Sequence, residues 1–93
     1  MKIQAKHIIV HGRVQGVGFR YFVRDAAARL ELAGDVRNRP DSTVEIVVEG
    51  PSGPVGEFVR EVGRGPALAR VERLDVDDLP AGGNYRSFTI EGR

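Results

Sequence analysis

An apolar, strand-like run leads into Gly12-Arg13-Val14-Gln15-Gly16-Val17-Gly18-Phe19-Arg20, and a helix-like run follows. These residue types at this spacing suit the binding of an anion. Glycine reaches the positive φ values that turn successive backbone N–H groups toward one point. A nest of that kind takes up an anion, and a helix N-terminus beneath it adds partial positive charge. Arg20 then sets a guanidinium at the start of the helix, where a phosphate would lie. The loop lacks the Gly-Lys-Ser/Thr ending of a nucleotide P-loop. It does not fit G-x-G-x-x-G either, and no acidic residue ends a following strand at dinucleotide spacing.

Other groups with chemical potential are less well placed. His7 and His11 would share one face of a strand, but about 13 Å apart, too far to hold one metal ion. His11 lies near the glycine loop. Asp75, Asp77 and Asp78 have no calcium-loop pattern around them and read as a solvated strand end. Arg24 follows Arg20 by one helical turn and reads as a solubilising charge. Arg13, Arg37 and Arg39 could together raise the positive potential near the loop, while each singly reads as a surface charge. No metal site and no cofactor are expected.

The elements that must hold this loop follow from periodicity. Ile3 to His11 reads as a first strand, with Ile8-Ile9-Val10 suited to a buried sheet position. Phe19, Phe22, Val23, Ala26, Ala27 and Leu30 trace one face of an amphipathic helix over Arg20 to Leu32. Gly34 is expected to stop that helix in a left-handed conformation. Asp35 to Asn38 begins a second strand, and Arg39-Pro40-Asp41-Ser42 supplies a turn. Val44, Ile46 and Val48 alternate with Glu45 and Glu49, which marks a third strand with one core face. Val47 interrupts the polar side, so part of the other face is expected to be covered as well. Ser52 is placed to cap a second helix, with Pro54 in its first turn. Val55, Phe58, Val59 and Val62 are its apolar stripe, and it ends near Gly63. Leu68 to Val76 reads as a fourth strand. After a loop at Pro80 to Asn84, Tyr85 to Glu91 forms a short fifth strand with Phe88 and Ile90 inward. The order βαββαβ plus a terminal strand predicts a ferredoxin-like α+β sandwich. Its sheet is mostly antiparallel, and two helices on so small a sheet should pack on one face.

Composition narrows the functional classes. The chain has 93 residues, with 14 Lys and Arg against 13 Asp and Glu. That predicts one small domain spanning residues 1–93, large enough to bury roughly two-thirds of its unfolded surface without staples. The near-neutral balance provides no global field to recruit nucleic acid. No apolar run approaches the ~20 residues that span a bilayer. There are no cysteines, so disulfides and thiolate chemistry are excluded, which fits the cytoplasm.

The loop resembles the first signature of the acylphosphatases, G-x-V-Q-G-V-x-F-R, matched from Gly12 through Arg20. Gly34-Asp35-Val36-Arg37-Asn38, with Asp41-Ser42-Thr43-Val44-Glu45 and Gly50, resembles the family's second signature. The order of elements also agrees, so the resemblance covers essentially the whole chain. It implies hydrolysis of acyl phosphates to a carboxylate and inorganic phosphate. It also implies that Arg20 binds the phosphoryl group and that Asn38 positions the attacking water. Arg13, Val14, Gln15, Gly16, Val17 and Gly18 would form the phosphate-binding loop. Two positions depart from the pattern. Asp35 stands where an aromatic residue is usual, putting a packing contact in doubt. Ser42 stands where glycine usually makes the turn, which suggests different φ values supported by Pro40.

The partners implied are a small-molecule acyl phosphate and inorganic phosphate, the latter as product and competitive inhibitor. A monomer with no nucleic-acid or membrane partner is expected. The alternative is a catalytically silent binding or regulatory module on the same fold. RNA-binding versions of this fold show aromatics on the central strands, and Ile3–His11 and Val44–Glu49 contain none. A third possibility is one domain of a larger maturation enzyme, against which the chain's end just after a final strand is expected to favour a stand-alone protein.

Overall fold

A computed structural model describes residues 2–92. Its elements are β1 (Ile3–Arg13), α1 (Phe19–Arg29), β2 (Ala33–Asn38), β3 (Val44–Pro51), α2 (Ser52–Arg64), β4 (Arg70–Leu79) and β5 (Phe88–Ile90). The five strands form one sheet in the order β4-β1-β3-β2-β5. β1 runs antiparallel to β3 and β4, β3 runs antiparallel to β2, and only the short β5 is parallel to its neighbour β2. This is the expected ferredoxin-like arrangement of two helices on a mostly antiparallel sheet, with the fifth strand present.

The core lies between sheet and helices. Ile8, Val10, Val36, Val44, Ile46 and Val48 project from the strands, and Phe19, Val23, Ala27, Val55, Phe58 and Val62 from the helices. The period-2 and period-3.6 stripes in the sequence therefore meet as one apolar layer. Val47 lies on the opposite face and lines a cavity of about 320 Å³ with Ala5, Leu79, Pro80 and Tyr85. The loop after β4 thus covers part of that face, as the interrupted alternation predicts. It is tied there by the Gly83 N–H, which donates to Glu49 Oε2 at 2.8 Å.

Several boundaries differ from expectation. Helix α1 ends at Arg29 rather than Leu32, and the left-handed residue that closes it is Glu31 (φ 59°), not Gly34. The Leu32 N–H donates to the Ala27 carbonyl at 2.8 Å and the Glu31 N–H to Ala28 at 3.1 Å. That is a Schellman closure with glutamate where glycine is usual. Gly34 lies inside β2 instead, at φ 145°, where a Cβ would sit 1.9 Å from the Val47 carbonyl oxygen. Its role is close approach to β3, and β2 accordingly starts at Ala33. Ser52 is the first residue of α2 rather than its cap; Pro51 is the N-cap, and no side chain caps the helix. Tertiary contact replaces that cap, since the Ser52 N–H donates to the Lys2 carbonyl at 3.0 Å. β1 runs two residues further than predicted, to Arg13, because it continues to pair with β4 past a bulge at His11/Gly12. β4 begins at Arg70, which leaves Leu68 in an exposed turn.

The sheet directions position the site. β1 and β2 both run antiparallel to β3, so their C-terminal ends lie at the same end of the sheet. The β1–α1 loop and the β2–β3 turn therefore emerge side by side.

Candidate active site

The β1–α1 loop begins at a tight joint. At Gly12, φ is 130° and a Cβ would lie 2.0 Å from the Arg70 carbonyl oxygen, so only glycine lets β4 press against the root of the loop. Gly16 (φ 74°) and Gly18 (φ 76°) then take left-handed conformations. Gly18 is the N-cap of α1, without a side-chain cap and with no acidic residue in the first turn. The first N–H groups of a helix have no partner within it. Here no cap competes for them, and the macrodipole favours an anion beside them.

A cavity of about 230 Å³ opens at this point, lined by Val14, Gly16, Gly18, Phe19, Arg20, Tyr21 and Asn38. Val14 and Phe19, each 1% exposed, belong to the core and floor it. Arg20 is half-buried, and among the described residues it has no carboxylate partner within 4.0 Å. An arginine held by packing but left unpaired keeps its full set of donors for a ligand. Across the cavity, Asn38 ends β2. Its Oδ1 is buried and accepts no hydrogen bond from the described residues. Native proteins rarely leave such an oxygen unmatched, because the lost hydration costs about 1–3 kcal/mol.

The loop and the Asn38 strand are bolted together by one side chain. Gln15 Nε2 donates to the Arg39 carbonyl at 2.8 Å and to the Thr43 carbonyl at 2.9 Å. The turn that Gln15 grips is itself closed. The Arg39 N–H donates to Thr43 O at 2.9 Å, and the Ser42 N–H to Arg39 O at 3.1 Å. Asp41 Oδ1 accepts from the Thr43 hydroxyl at 2.5 Å and from the Thr43 N–H at 3.1 Å. Those bonds from Thr43, side chain first and backbone second, hold the Asp41 carboxyl below the usual carboxylate range. Ser42 has φ 76°, the conformation a glycine would take there, so the turn keeps its shape and Ser42 bears the strain; the expectation of different φ values is corrected.

The predicted site residues divide accordingly. Arg20 and Asn38, distant in sequence, line one cavity with Val14, Gly16 and Gly18. Gln15 turns its side chain into the β2–β3 turn, Val17 packs partly against the core, and Arg13 ends β1 as an exposed residue. Arg37 is paired with Asp35 at 3.3 Å, and Arg39 lies 4.0 Å from Asp41, so neither is a free charge. The same contact gives Asp35, only 9% exposed, its ion-pair partner. Arg24 sits over the Tyr21 ring at 5.1 Å. His11 and His7 lie apart from the cavity, at 2.8 Å from Asp75 and 2.7 Å from Glu45 respectively. Hydrogen bonds from His11 first and Arg73 second hold the Asp75 carboxyl below its ordinary range. Asp78 likewise pairs with Lys6, so the acidic strand end is partnered as well as solvated. Among the described residues, no three His, Cys, Asp or Glu side chains converge on a point, and no helix is long and apolar enough to cross a membrane.

Two contributors escape a reading of the sequence alone. Tyr21 is 56% exposed at the rim of the cavity. Its one available signal is an aromatic outside the apolar stripe of α1. The Gln15 bridge has no local signal, because its acceptors are backbone carbonyls more than twenty residues away.

Residues 6–90 match the family described as acylphosphatase. The chain belongs to the acylphosphatase family. Acylphosphatase relatives include those of Koribacter versatilis, 45% identical over 96% of this chain and 81% of the relative, and of Nocardioides, 54% identical over 92% and 86%. The crystal structure of the acylphosphatase from Bacillus subtilis superposes with a TM-score of 0.92 at 42% identity, covering 96% of this chain and 99% of the other. A full-length HypF in a phosphate- and nucleotide-bound form superposes at 0.86 with 35% identity, but this chain covers only 12% of it. The acylphosphatase fold thus occurs both in chains of this size and within a much longer one.

Proposed function

We propose that this acylphosphatase cleaves the carboxyl–phosphate bond of acyl phosphates by direct attack of water, with Arg20 and Asn38 as its catalytic residues. The observation that carries the reading is the meeting, across one cavity, of a guanidinium and a buried amide oxygen that have no partner among the described residues.

The phosphoryl oxygens sit against the loop from Arg13 to Gly18 and the first N–H groups of α1. The Arg20 fork takes two of them, in a geometry suited to its parallel donors. Asn38 Oδ1 accepts a hydrogen bond from the attacking water and so aims its lone pair at phosphorus. The water oxygen bonds to phosphorus as the bond from phosphorus to the acyl oxygen breaks. The electron pair leaves on the carboxylate, and the products are that carboxylate and inorganic phosphate. The departing acid has a pKa near 4, so it leaves unprotonated and needs no general acid. Phosphoryl transfer asks mainly for positioning and for stabilisation of spread negative charge, which is what an arginine, a row of N–H donors and a water-aligning amide supply.

On this reading the protein works as a monomer in the cytoplasm, with no metal or other cofactor. Its product, inorganic phosphate, competes with substrate for the same cradle. The silent-module alternative is disfavoured by the family match over nearly the whole chain. The test is release of phosphate from benzoyl phosphate with and without EDTA. Turnover unaffected by the chelator is expected. No turnover would overturn the hydrolase reading, and loss on chelation restored by a divalent ion would overturn the metal-free route.

A further inference from the structure

The end of the sheet from which the loop emerges carries a charge arrangement that phosphoryl binding alone does not explain. Arg13, the last residue of β1, and Arg70, the first of β4, are direct cross-strand partners. Like charges directly opposite on a ladder destabilise a sheet. Such pairs are usually relieved by a nearby carboxylate, as Arg73 is by Asp75 at 3.1 Å. Neither Arg13 nor Arg70 has one within 4.0 Å among the described residues, and both are exposed. Gly12 to Arg24 and Gly63 to Val71 contain no Asp or Glu, and Glu72, two residues beyond Arg70, pairs with neither arginine among the described residues. Their placement is built rather than incidental. The bulge at His11/Gly12 shifts the register just before them, and bulges beside active sites re-aim side chains. Gly12 admits the Arg70 backbone at a distance that no Cβ would tolerate. Arg13 directly precedes Val14, which lines the cavity.

We propose that Arg13 and Arg70 form a second anion subsite, and that the favoured substrates are acyl phosphates whose acyl group ends in a carboxylate. The inference rests on the hydrolase reading above and specifies its substrate class. The phosphoryl end occupies the cradle beside Arg20, and the acyl group extends outward past the ends of β1 and β4. Its distal carboxylate offers two oxygens to two planar guanidinium forks. Binding relieves the repulsion between the two arginines, so the subsite is stabilised when filled. The product is then a dicarboxylate, held less firmly once the phosphoryl anchor is cut.

The test compares benzoyl phosphate with 4-carboxybenzoyl phosphate at low ionic strength. In the wild type, kcat/KM should favour the carboxylated substrate by at least about fivefold, the upper range for one exposed charge contact. The preference should shrink toward one in Arg70→Gln and fall below one in Arg70→Glu, where the new charge repels the substrate. Thermal melts confirm that both surface variants are folded. Equal rates on the two substrates in the wild type, or a preference retained in Arg70→Gln, would overturn the subsite while leaving the hydrolase reading intact. If the wild type cleaves neither substrate, the hydrolase reading falls and the subsite with it.

Discussion

Asn38 is where function and stability separate most cleanly. Its Oδ1 is buried without a donor among the described residues, a situation that costs about 1–3 kcal/mol when no partner is present. A side chain kept for the fold would not carry that cost. Asn38→Ala removes the orphaned oxygen and leaves a small gap beside a cavity that is already open. The two effects oppose, so the melting temperature should stay level or rise by a few degrees, about 1 kcal/mol or less. Activity should move the other way. Loss of the group that aims the water should lower kcat by about a hundredfold or more, roughly 2.7 kcal/mol of barrier. The phosphate cradle is untouched, so inhibition by inorganic phosphate should change less than about fivefold. A product-inhibition constant is the right measure, because it reports affinity without relying on KM. Asn38→Asp is the matching control. It keeps the shape and an acceptor, but at neutral pH its charge opposes the phosphoryl group, so phosphate inhibition should weaken together with kcat. Unchanged kcat with collapsed phosphate inhibition would make Asn38 a phosphate ligand. A fall of several degrees in melting temperature in Asn38→Ala would make it structural. Either result refutes the assignment.

The other predictions concern the clamp and the turn. Arg20→Lys replaces a planar fork by a point charge and should cost at least about a hundredfold in kcat/KM; near-normal turnover would remove Arg20 from the mechanism. Ser42 holds φ 76°, so Ser42→Gly should relieve left-handed strain and stabilise by about 1 kcal/mol, roughly 4–8 °C in melting temperature; a lower melting temperature would mean that the serine makes a compensating contact. The Asp41 carboxyl is held below its ordinary range by Thr43. Its contribution to stability is therefore present above the unfolded-state pKa near 4 and is lost as pH falls through the lowered folded value. Asp41→Asn should flatten the acid side of the stability–pH curve and leave neutral pH less affected, and an unchanged acid limb would show the contact to be without weight.

What the sequence made legible was whatever it encodes locally. Alternation at Val44, Ile46 and Val48 and the stripe from Phe19 to Leu30 specify which faces are buried, and those faces do form the core. The glycine loop was legible because only glycine is at ease at the φ values seen at Gly16 and Gly18. Readings failed where a distant strand decides the outcome. Gly34 looks like a helix stop because a glycine follows an apolar helix, yet it answers to the Val47 carbonyl on β3. The helix closes instead on Glu31, where two backbone bonds offset an unfavourable φ. Ser52 looks like a cap, but the strand-end Pro51 takes that position and the Ser52 N–H donates to the Lys2 carbonyl. Arg37 and Arg39 read singly as surface charges, and their ion pairs with Asp35 and Asp41 depend on the conformation of β2 and its turn.

Two departures from good folding practice, the left-handed Glu31 and the uncapped start of α2, lie where β2 begins and β3 finishes; the others gather at the opposite end of the sheet. The left-handed Gly16 and Gly18, the strained Ser42, the uncapped start of α1, the unpaired Arg20, the opposed Arg13 and Arg70 and the orphaned Asn38 oxygen all lie at the end of the sheet where β1 and β2 finish and β4 begins. Each alone has a structural explanation, such as a turn, a fray or a surface charge. Around the cavity, however, three of them share one remedy. A bound phosphate accepts from the free helix N–H groups, pairs with Arg20 and brings the water that satisfies Asn38. Saturating phosphate should therefore raise the melting temperature of the wild type, and by less in Arg20→Lys, since a ligand stabilises only in proportion to its affinity for the folded state. No shift in the wild type, in a titration well above the inhibition constant, would mean that this end of the sheet is strained for some reason other than an anion.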